Sequence, residues 1–544
     1  MNHSTETYDY VIVGSGAAGS ILANRLSAHG HSVCLLEAGP ADRHPFLHIP
    51  AGFIKVIFDE RYAWQFHTMP NTLTNSRSIP IPQGRTLGGS TAINGLVYNR
   101  GLSSDYDHWE SLGNEGWGYE QVLPYFKSME RRVGGDDRYR GRSGELPVSD
   151  IDWKHPLCDA FIEAAQEYGM VKNPDYNGDS QEGVGFFQRT IHKGRRMSTA
   201  KVFLQPSKGD KNLTIKTNAQ ASQVIFKGKN AIGVRYFSPA SPNSIKTVHA
   251  NKEVIISAGA INTPKLLQLS GVGDAAHLRK MGIEVVKDLP GVGSNLSDHY
   301  SVRMAVKVRN TDTMNELVKG VKLAGEVIKW VLRKPSILGL SPSLVHFFAK
   351  SDPSLTSPDL QGVFTPASYR DGYVGQLDEY PGMTAGVWQH RPKSRGYVQI
   401  QSTDPLASPI VQPNYLSEEQ DQKVLIRGVK LTRSILQQTA LAHYYQSEIL
   451  PGASCQSDDE ILDFAKSYGV SSYHVNGTAR MGPATDKNAV VDSALRVHGL
   501  TGLRIVDSSV MPSIPSANIC AATMMIANKA ADLIGSERLA TNKK

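Results

Sequence analysis

Cysteine is scarce in this sequence, and no two cysteines form a Cys-x-x-Cys pair. The four that occur among 544 residues are Cys34, Cys158, Cys455 and Cys520. Their wide spacing argues against a zinc ribbon, a dithiol redox motif or a disulfide framework. We therefore predict no metal site, and a reducing compartment, the cytoplasm.

An excess of charge and a leader pattern are lacking as well. The 58 Lys and Arg exceed the 51 Asp and Glu by only 7, and no long basic run concentrates them, so nucleic acid is not expected as a partner. The first residues, MNHSTETYDY, do not resemble a secretory leader. The longest uncharged stretch, 508–528, contains two prolines and is not expected to span a membrane. The remaining composition, 40% hydrophobic and 20% charged, is typical of a packed enzyme of two or three domains.

A dinucleotide-binding pattern occupies the N-terminal region. The β-type run Tyr8–Val13, a helical pattern over 16–29 and a second apolar run ending at Glu37 predict a βαβ unit. Its first turn reads Gly14-Ser15-Gly16-Ala17-Ala18-Gly19. The glycines permit a tight turn against a pyrophosphate at the helix N-terminus, and a carboxylate such as Glu37 accepts ribose hydroxyls.

The rest of the chain has no second fingerprint of this kind, so we expect one dinucleotide. If it is a flavin, electrons leave to an external acceptor such as oxygen, a quinone or an artificial dye. Residues 253–260 read as a further buried strand, and Thr263-Pro264 as the cap and first residue of the following helix.

Residues 317–332 predict one amphipathic helix with lysines between its apolar positions. Such a helix can lie on a membrane surface, which would make the protein a weak peripheral binder of the inner membrane. We favour the alternative that the apolar side packs on the protein's own core, because ordinary surface helices show the same pattern.

Four separated segments resemble the signatures of the glucose-methanol-choline (GMC) oxidoreductases. They are GRTLGGSTAIN at 84–94, GAINTPKLLQLSGVG at 259–273, LPGVGSNLSDH at 289–299, and the C-terminal run from Tyr473-His474 to Asn518. The resemblance extends over essentially the whole chain. Within the family, the sequence is most similar to the branch of choline dehydrogenases and FAD-linked alcohol dehydrogenases.

The resemblance implies an α/β fold with two parts. A Rossmann-like FAD-binding domain would comprise 1–155, 212–305 and 465–544. A substrate-binding domain built on an antiparallel sheet would comprise 156–211 and 306–464.

The resemblance also implies which residues contact FAD. Besides the first turn and Glu37, these are Ala38, Trp64, Arg85, Gly88, Gly89, Ser90, Asn94, Gly95, Leu96, Val97, Val224, Ala258, Tyr473, Asp507 and Ile519. Some relatives attach the flavin covalently through a His at the position of Ile93. An alkyl side chain cannot form that bond, so we predict non-covalent FAD.

His474 and Asn518 fall where the family keeps its active-site pair. A neutral imidazole can take the hydroxyl proton of an alcohol, and an amide can donate to its oxygen. We therefore predict oxidation of a primary alcohol by hydride transfer to flavin, with His474 as the general base and a small-molecule alcohol as the substrate.

The sequence leaves the substrate open among aliphatic, benzylic and choline-like alcohols, with a polyol or sugar alcohol as an alternative. The apolar stretch 336–348 suggests a pocket for a hydrophobic alcohol, although a sheet core reads the same way. A lyase or photodecarboxylase on the same fold is a second alternative, because fold similarity does not decide the reaction.

Overall fold

The N-terminal βαβ unit forms the centre of a seven-stranded sheet in a computed structural model that describes residues 6–370 and 376–541, with side chains to 535. The strands are β1 (Glu6–Val13), β2 (Val33–Leu36), β10 (Leu213–Lys216), β11 (Gln220–Lys227), β12 (Asn230–Ser238), β13 (Ser241–Ile256) and β24 (Leu503–Ile505). Their order is β10-β2-β1-β13-β12-β11, and β24 also pairs with β13. Strands β10, β2, β1, β13 and β24 pair in parallel, whereas β11 and β12 form an antiparallel edge.

Parallel strands buried on both faces read as continuous apolar runs. Val11, Ile12, Cys34 and Leu35 are fully buried in this way. They pack against helices α1 (Gly19–Ala28), α4 (Tyr119–Met129) and α13 (Cys520–Thr541), so both ends of the chain share one core.

A second seven-stranded sheet is entirely antiparallel. Its strands are β7 (Gly183–Phe186), β16 (Tyr300–Val308), β17 (Val345–Ala349), β18 (Leu360–Thr365), β19 (Gly382–Gln389), β22 (Tyr445–Leu450) and β23 (Val470–Ser471). Their order is β22-β16-β19-β18-β17-β7, with β23 beside β16. Helices α5 (Pro156–Glu167), α10 (Glu419–Leu436), α11 (Thr439–Ala442) and α12 (Asp458–Tyr468) bury its outer face. This α/β arrangement of a Rossmann-like and an antiparallel sheet confirms the predicted fold class.

Smaller elements connect the two sheets. Short strands pair as β3 (Ala63–His67) with β4 (Pro80–Gly84), β5 (Glu130–Arg132) with β6 (Leu146–Val148), β8 (Ile191–His192) with β9 (Arg195–Arg196), β14 (Val272–Gly273) with β15 (Lys287–Asp288), and β20 (Tyr397–Gln399) with β21 (Ile410–Gln412). The remaining helices are α2 (Phe53–Val56), α3 (Ser103–Ser111), α6 (Gly259–Leu269), α7 (Ala275–Lys280), α8 (Met314–Leu317) and α9 (Gly320–Val331). The predicted boundary at residue 305 falls inside β16, and β23 lies in a segment predicted for the other domain; the division into domains stays a prediction.

The predicted start of α6 at Thr263-Pro264 is wrong, because the helix begins at Gly259. A proline in the second turn removes the N–H that would bond to the carbonyl of Ala260. The hydroxyl of Thr478 donates to that carbonyl at 2.6 Å instead, so the helix continues through the proline.

The expectation of one helix over 317–332 that packs its apolar side on the core is also wrong. The segment forms α8 and α9, and α9 turns its apolar side outward, with Val321, Ile328 and Val331 exposed by 89%, 59% and 65%. Its one buried residue is Glu326, whose carboxylate accepts the backbone N–H of Ile337. No helix in the described part of the chain is long and apolar enough to cross a membrane.

Candidate active site

A large cavity lies where the parallel strands end. Its wall on that side contains Val13, Leu36 and Ser257, which close or directly follow β1, β2 and β13. Its other wall is the inner face of the antiparallel sheet. Ligands of open parallel sheets bind outside the carboxyl ends of the strands, so this is the expected place for a dinucleotide.

The first glycine turn shapes one end of the cavity. Gly14 has φ +95°, and a Cβ there would lie 2.4 Å from the carbonyl oxygen of Ser257. A Cβ on Gly19 would lie 1.9 Å from the carbonyl oxygen of Gly14. Helix α1 begins here without a side-chain cap, so the positive end of its dipole faces this end of the cavity without a side-chain acceptor on it. A pyrophosphate fits this end of the cavity.

Glu37 and Asp507 are the two carboxylates of the cavity wall, and both are buried. Glu37 accepts the N–H and hydroxyl of Ser15 at 3.0 and 2.6 Å. Asp507 caps α6 by accepting the N–H of Gly259 at 2.8 Å and the hydroxyl of Thr263 at 2.6 Å. Burial raises the pKa of both carboxyls. Glu37 lies at the end of β2, where a ribose would be held.

The GGSTAIN stretch passes close to the glycine turn. A Cβ on Gly89 would lie 2.7 Å from the Cα of Gly16, so the two backbones approach as only glycine allows. Downstream, Asn94 accepts the N–H of Leu96, which has φ +63°. The buried guanidinium of Arg196 donates to the carbonyl and side-chain oxygens of Asn94 and holds this segment against the cavity.

Most residues predicted to contact FAD line this cavity. They are Gly14, Ser15, Gly16, Ala17, Ala18, Glu37, Ala38, Trp64, Gly89, Ser90, Asn94, Gly95, Leu96, Val97, Ala258, Tyr473, Asp507 and Ile519. Ile93 also lines it.

Four of the predicted contacts are not on the cavity wall, namely Gly19, Gly88, Arg85 and Val224. Gly19 packs behind the turn, and Gly88 donates its N–H to the carbonyl of Ser15. The guanidinium of Arg85 lies 4.5 Å from the ring of Trp64, so it acts on the wall from behind. Val224 is buried in β11, and the residues that line the cavity near it are Ala219, Gln220 and Ala221. No local pattern predicts this shift, because the register of the strand decides which residues face the cavity.

His474 and Asn518 meet in the cavity, as the C-terminal motifs suggested. The Asn518 Nδ2 atom lies 3.1 Å from His474 Nε2, and the Asn518 oxygen accepts from Gln361 at 3.1 Å. Burial and the neighbouring His299 hold the pKa of His474 well below its usual value, so its ring is neutral at physiological pH. An amide donor and a neutral imidazole therefore share one point of the wall.

Two residues beneath this pair were missed as site residues. His299 Nδ1 lies 2.9 Å from His474 Nδ1, and Asp298 accepts the backbone N–H of His474 at 2.7 Å. Asp298 also accepts the hydroxyls of Tyr415 and Ser471, both at 2.5 Å, and burial raises its pKa to about 6. Both residues lie in the LPGVGSNLSDH segment at 289–299. The sequence does not show that His299 contacts His474, which lies 175 residues later in the chain.

The antiparallel sheet supplies the wall beyond His474. Trp388 is part of it, with its ring centroid 6.2 Å from that of His474. Arg303, Thr365, Tyr369 and Thr384 line the same side of the cavity. From the apolar stretch 336–348, only Pro342 and Ser343 reach the cavity, because Val345 begins the buried strand β17. The expectation of a pocket formed by that stretch is wrong for the rest of it.

Comparison with known proteins finds relatives over almost the whole length of the chain. Models of the N- and C-terminal parts of the GMC oxidoreductases match residues 8–301 and 392–527. The chain is 40% identical to an oxygen-dependent choline dehydrogenase of Photobacterium profundum, covering 97% of this chain and 93% of that protein. It is 40% identical to an alcohol dehydrogenase [acceptor] of Pseudomonas putida, covering 97% and 95%. The structure of pyridoxine 4-oxidase from Mesorbium loti superposes with a TM-score of 0.87 at 29% identity, covering 96% and 98%.

Proposed function

Because the chain belongs to the GMC oxidoreductases and is an FAD-dependent enzyme that oxidises alcohols, we propose that His474 and Asn518 carry out the proton chemistry of that oxidation. FAD, when bound, supplies the hydride acceptor. The contact between the amide of Asn518 and the imidazole of His474 is the observation that carries the proposal.

The substrate hydroxyl takes a place between these two side chains. Its oxygen accepts from Asn518 Nδ2, and its proton is donated to His474 Nε2, in place of their direct 3.1 Å contact. Loss of that proton to His474 makes the carbinol carbon a better hydride donor. General bases of this kind contribute about 10²- to 10⁴-fold to a rate.

The wall beyond His474 favours a neutral alcohol. Trp388 and Val363 line the antiparallel-sheet side of the cavity, and no carboxylate is among the described residues that line this side. An apolar or aromatic group packs against such side chains, whereas a quaternary ammonium such as choline calls for a carboxylate beside it. We therefore place an aliphatic or benzylic primary alcohol ahead of choline and of sugar alcohols as the substrate.

An anaerobic titration tests the reaction and the substrate together. The purified holoenzyme is mixed with choline, 1-hexanol, benzyl alcohol and sorbitol, and the flavin absorbance is followed. We expect 1-hexanol or benzyl alcohol to bleach the flavin fastest. Faster bleaching by choline would contradict the proposed preference, and no bleaching by any alcohol would favour a lyase or photochemical role.

The electron acceptor is external. Oxygen, a quinone or an artificial dye are its candidates, and the rate at which colour returns when each is added to the reduced enzyme distinguishes them.

We further propose a cytoplasmic protein that associates weakly with the inner membrane. The outward apolar side of α9 supports this, because Lys319, Lys322, Lys329 and Arg333 surround it.

Vesicle co-sedimentation tests the association. We expect the protein to sediment with vesicles containing phosphatidylglycerol, and less with phosphatidylcholine alone. Val321→Glu should weaken this binding, since it places a charge on the apolar side. Val133→Glu is the matched control, because Val133 is also 89% exposed but lies far along the chain from α9. Equal binding of the two variants, or no binding at low salt, would contradict the association.

A further inference from the structure

We infer that His299 is a positioning residue that fixes the tautomer of His474, so that its Nε2 atom, and not Nδ1, holds the free lone pair. This inference rests on the proposed role of His474 as the base. It assigns a task to a buried histidine that does not line the cavity.

The assignment begins at a main-chain carbonyl, which can only accept a hydrogen bond. His299 Nε2 lies 2.7 Å from the carbonyl oxygen of His390, so Nε2 carries the hydrogen. Burial lowers the pKa of His299 to about 4, and its ring is therefore neutral. A neutral imidazole with a hydrogen on Nε2 has a lone pair on Nδ1.

The lone pair on His299 Nδ1 determines the tautomer of His474. His299 Nδ1 lies 2.9 Å from His474 Nδ1, and one of two facing nitrogens must be the donor. Since His299 Nδ1 carries no hydrogen, His474 Nδ1 must carry one, and Nε2 of His474 is then the acceptor. The nitrogen that faces the cavity is thereby kept free to take a proton.

The hydrogen bonds of the Asn518 amide independently indicate the same tautomer of His474. Gln361 Nε2 donates to Asn518 Oδ1 at 3.1 Å, which leaves the Nδ2 donor of Asn518 facing His474 Nε2. A donor at 3.1 Å requires an acceptor, so His474 Nε2 must be unprotonated. If His299 were absent, His474 Nδ1 would lose its acceptor, and the hydrogen would be held there only by the contact of Nε2 with Asn518, which the substrate hydroxyl replaces.

Two substitutions at one position test the inference. His299→Leu removes the acceptor, whereas the Oδ1 atom of Asn in His299→Asn can accept from His474 Nδ1. With the alcohol that bleaches the flavin fastest, we expect His299→Leu to lower the rate constant of flavin reduction at least about tenfold. The apparent dissociation constant of the alcohol should change much less. His299→Asn should recover most of the rate.

The rescue separates positioning from mere packing, because both variants remove the imidazole and leave a smaller or different side chain. Equal rates in the wild type and a flavin-containing His299→Leu variant would overturn the inference. So would a His299→Asn variant as slow as His299→Leu when both hold flavin.

Nitrogen NMR of the holoenzyme labelled with ¹⁵N-histidine gives a readout without a substrate. The His474 signals are those lost in His474→Ala, and we expect the unprotonated nitrogen to be Nε2. Protonated Nε2 in the wild type would overturn the inference. If His474→Ala alone proves slow, the base assignment stands and only the role of His299 fails; if His474→Ala keeps its rate, the proposed function fails first.

Discussion

At the scale of single residues, the site depends on a few atoms that are present and a few that are missing. Gly89 is an example of a missing atom, because its lack of a Cβ leaves room for the backbone of Gly16. Both backbones border the end of the cavity where the pyrophosphate fits. A methyl group there would move one wall of the cavity.

We expect Gly89→Ala to fold but to lose FAD. The added Cβ would lie 2.7 Å from the Cα of Gly16, at a φ of +50° that alanine rarely adopts. The ratio of flavin to protein absorbance after purification measures the loss. Gly325→Ala in α9 is the matched control, since its Cβ meets nothing within 4 Å. A Gly89→Ala protein with full flavin content would show that the close approach is not needed.

The imidazole of His474 is one of the groups that must be present in the site. We expect His474→Ala to keep its flavin and to lower the rate of flavin reduction about 10²-fold or more, as for the loss of a general base. Stopped-flow reduction under anaerobic conditions measures this. His108→Ala, at an exposed position of α3, should leave the rate unchanged. A His474→Ala rate near that of the wild type would remove His474 from the chemistry.

Ile93 leads to a prediction about how the cofactor is held. It lines the cavity with an alkyl side chain that cannot bond to a flavin. We therefore expect acid precipitation of the holoenzyme to release all the FAD into the supernatant, where its absorbance is read. Yellow colour that stays with the pellet would contradict non-covalent binding.

At the scale of elements, α6 shows how a distant side chain completes a helix. The ring of Pro264 leaves the carbonyl of Ala260 without its helical donor, and Thr478 provides one from the C-terminal segment. Because α6 starts at the cavity and Asp507 caps it, this contact joins three parts of the chain at the cavity wall.

We expect Thr478→Val to lower the free energy of unfolding by about 1–3 kcal/mol, the cost of a buried unpaired polar group. Urea unfolding measures it. In a Pro264→Ala background the helix supplies its own N–H, so the same valine substitution should cost less. Equal costs in both backgrounds would show that the hydroxyl does not serve this carbonyl.

The elements also show what the sequence could and could not predict. The strand, turn and helix at the N-terminus were readable because glycine spacing and apolar runs are local signals. His474 and Asn518 were readable from motifs. The start of α6, the outward side of α9 and the contact between His299 and His474 depend on segments far apart in the chain. Local patterns carry no information about such partners.

At the scale of the whole molecule, four buried histidines make stability depend on pH. Burial lowers the pKa of His299 to about 4 and of His346 to about 3, and holds those of His390 and His474 well below the usual value. Below about pH 6.5, the unfolded chain binds protons at these positions and the folded protein does not. Stability therefore falls as the pH drops.

We expect the melting temperature of the holoenzyme to decrease steeply between pH 6.5 and about pH 4. Each such histidine contributes up to about 1.4 kcal/mol per pH unit in that range. The raised pKa values of the buried carboxyls of Glu37, Asp298 and Asp507 oppose the trend, so the net slope is smaller than that of the four histidines together. Calorimetry at a series of pH values measures it. A constant melting temperature down to pH 5 would contradict neutral buried rings.

The pairing of β13 with β1 and β24 has a consequence for the order of synthesis. Strand β1 is synthesised first, and its neighbour β13 follows some 240 residues later. Strand β24, which pairs with β13, follows about 500 residues after β1. At roughly 5–20 residues per second, a ribosome needs on the order of half a minute or more to supply the last partner. During that time the apolar edge of the central sheet is unpaired on the nascent chain, and the cavity lacks the part of its wall that Tyr473, Asp507 and Ile519 provide, so the complete cavity exists only near the end of translation.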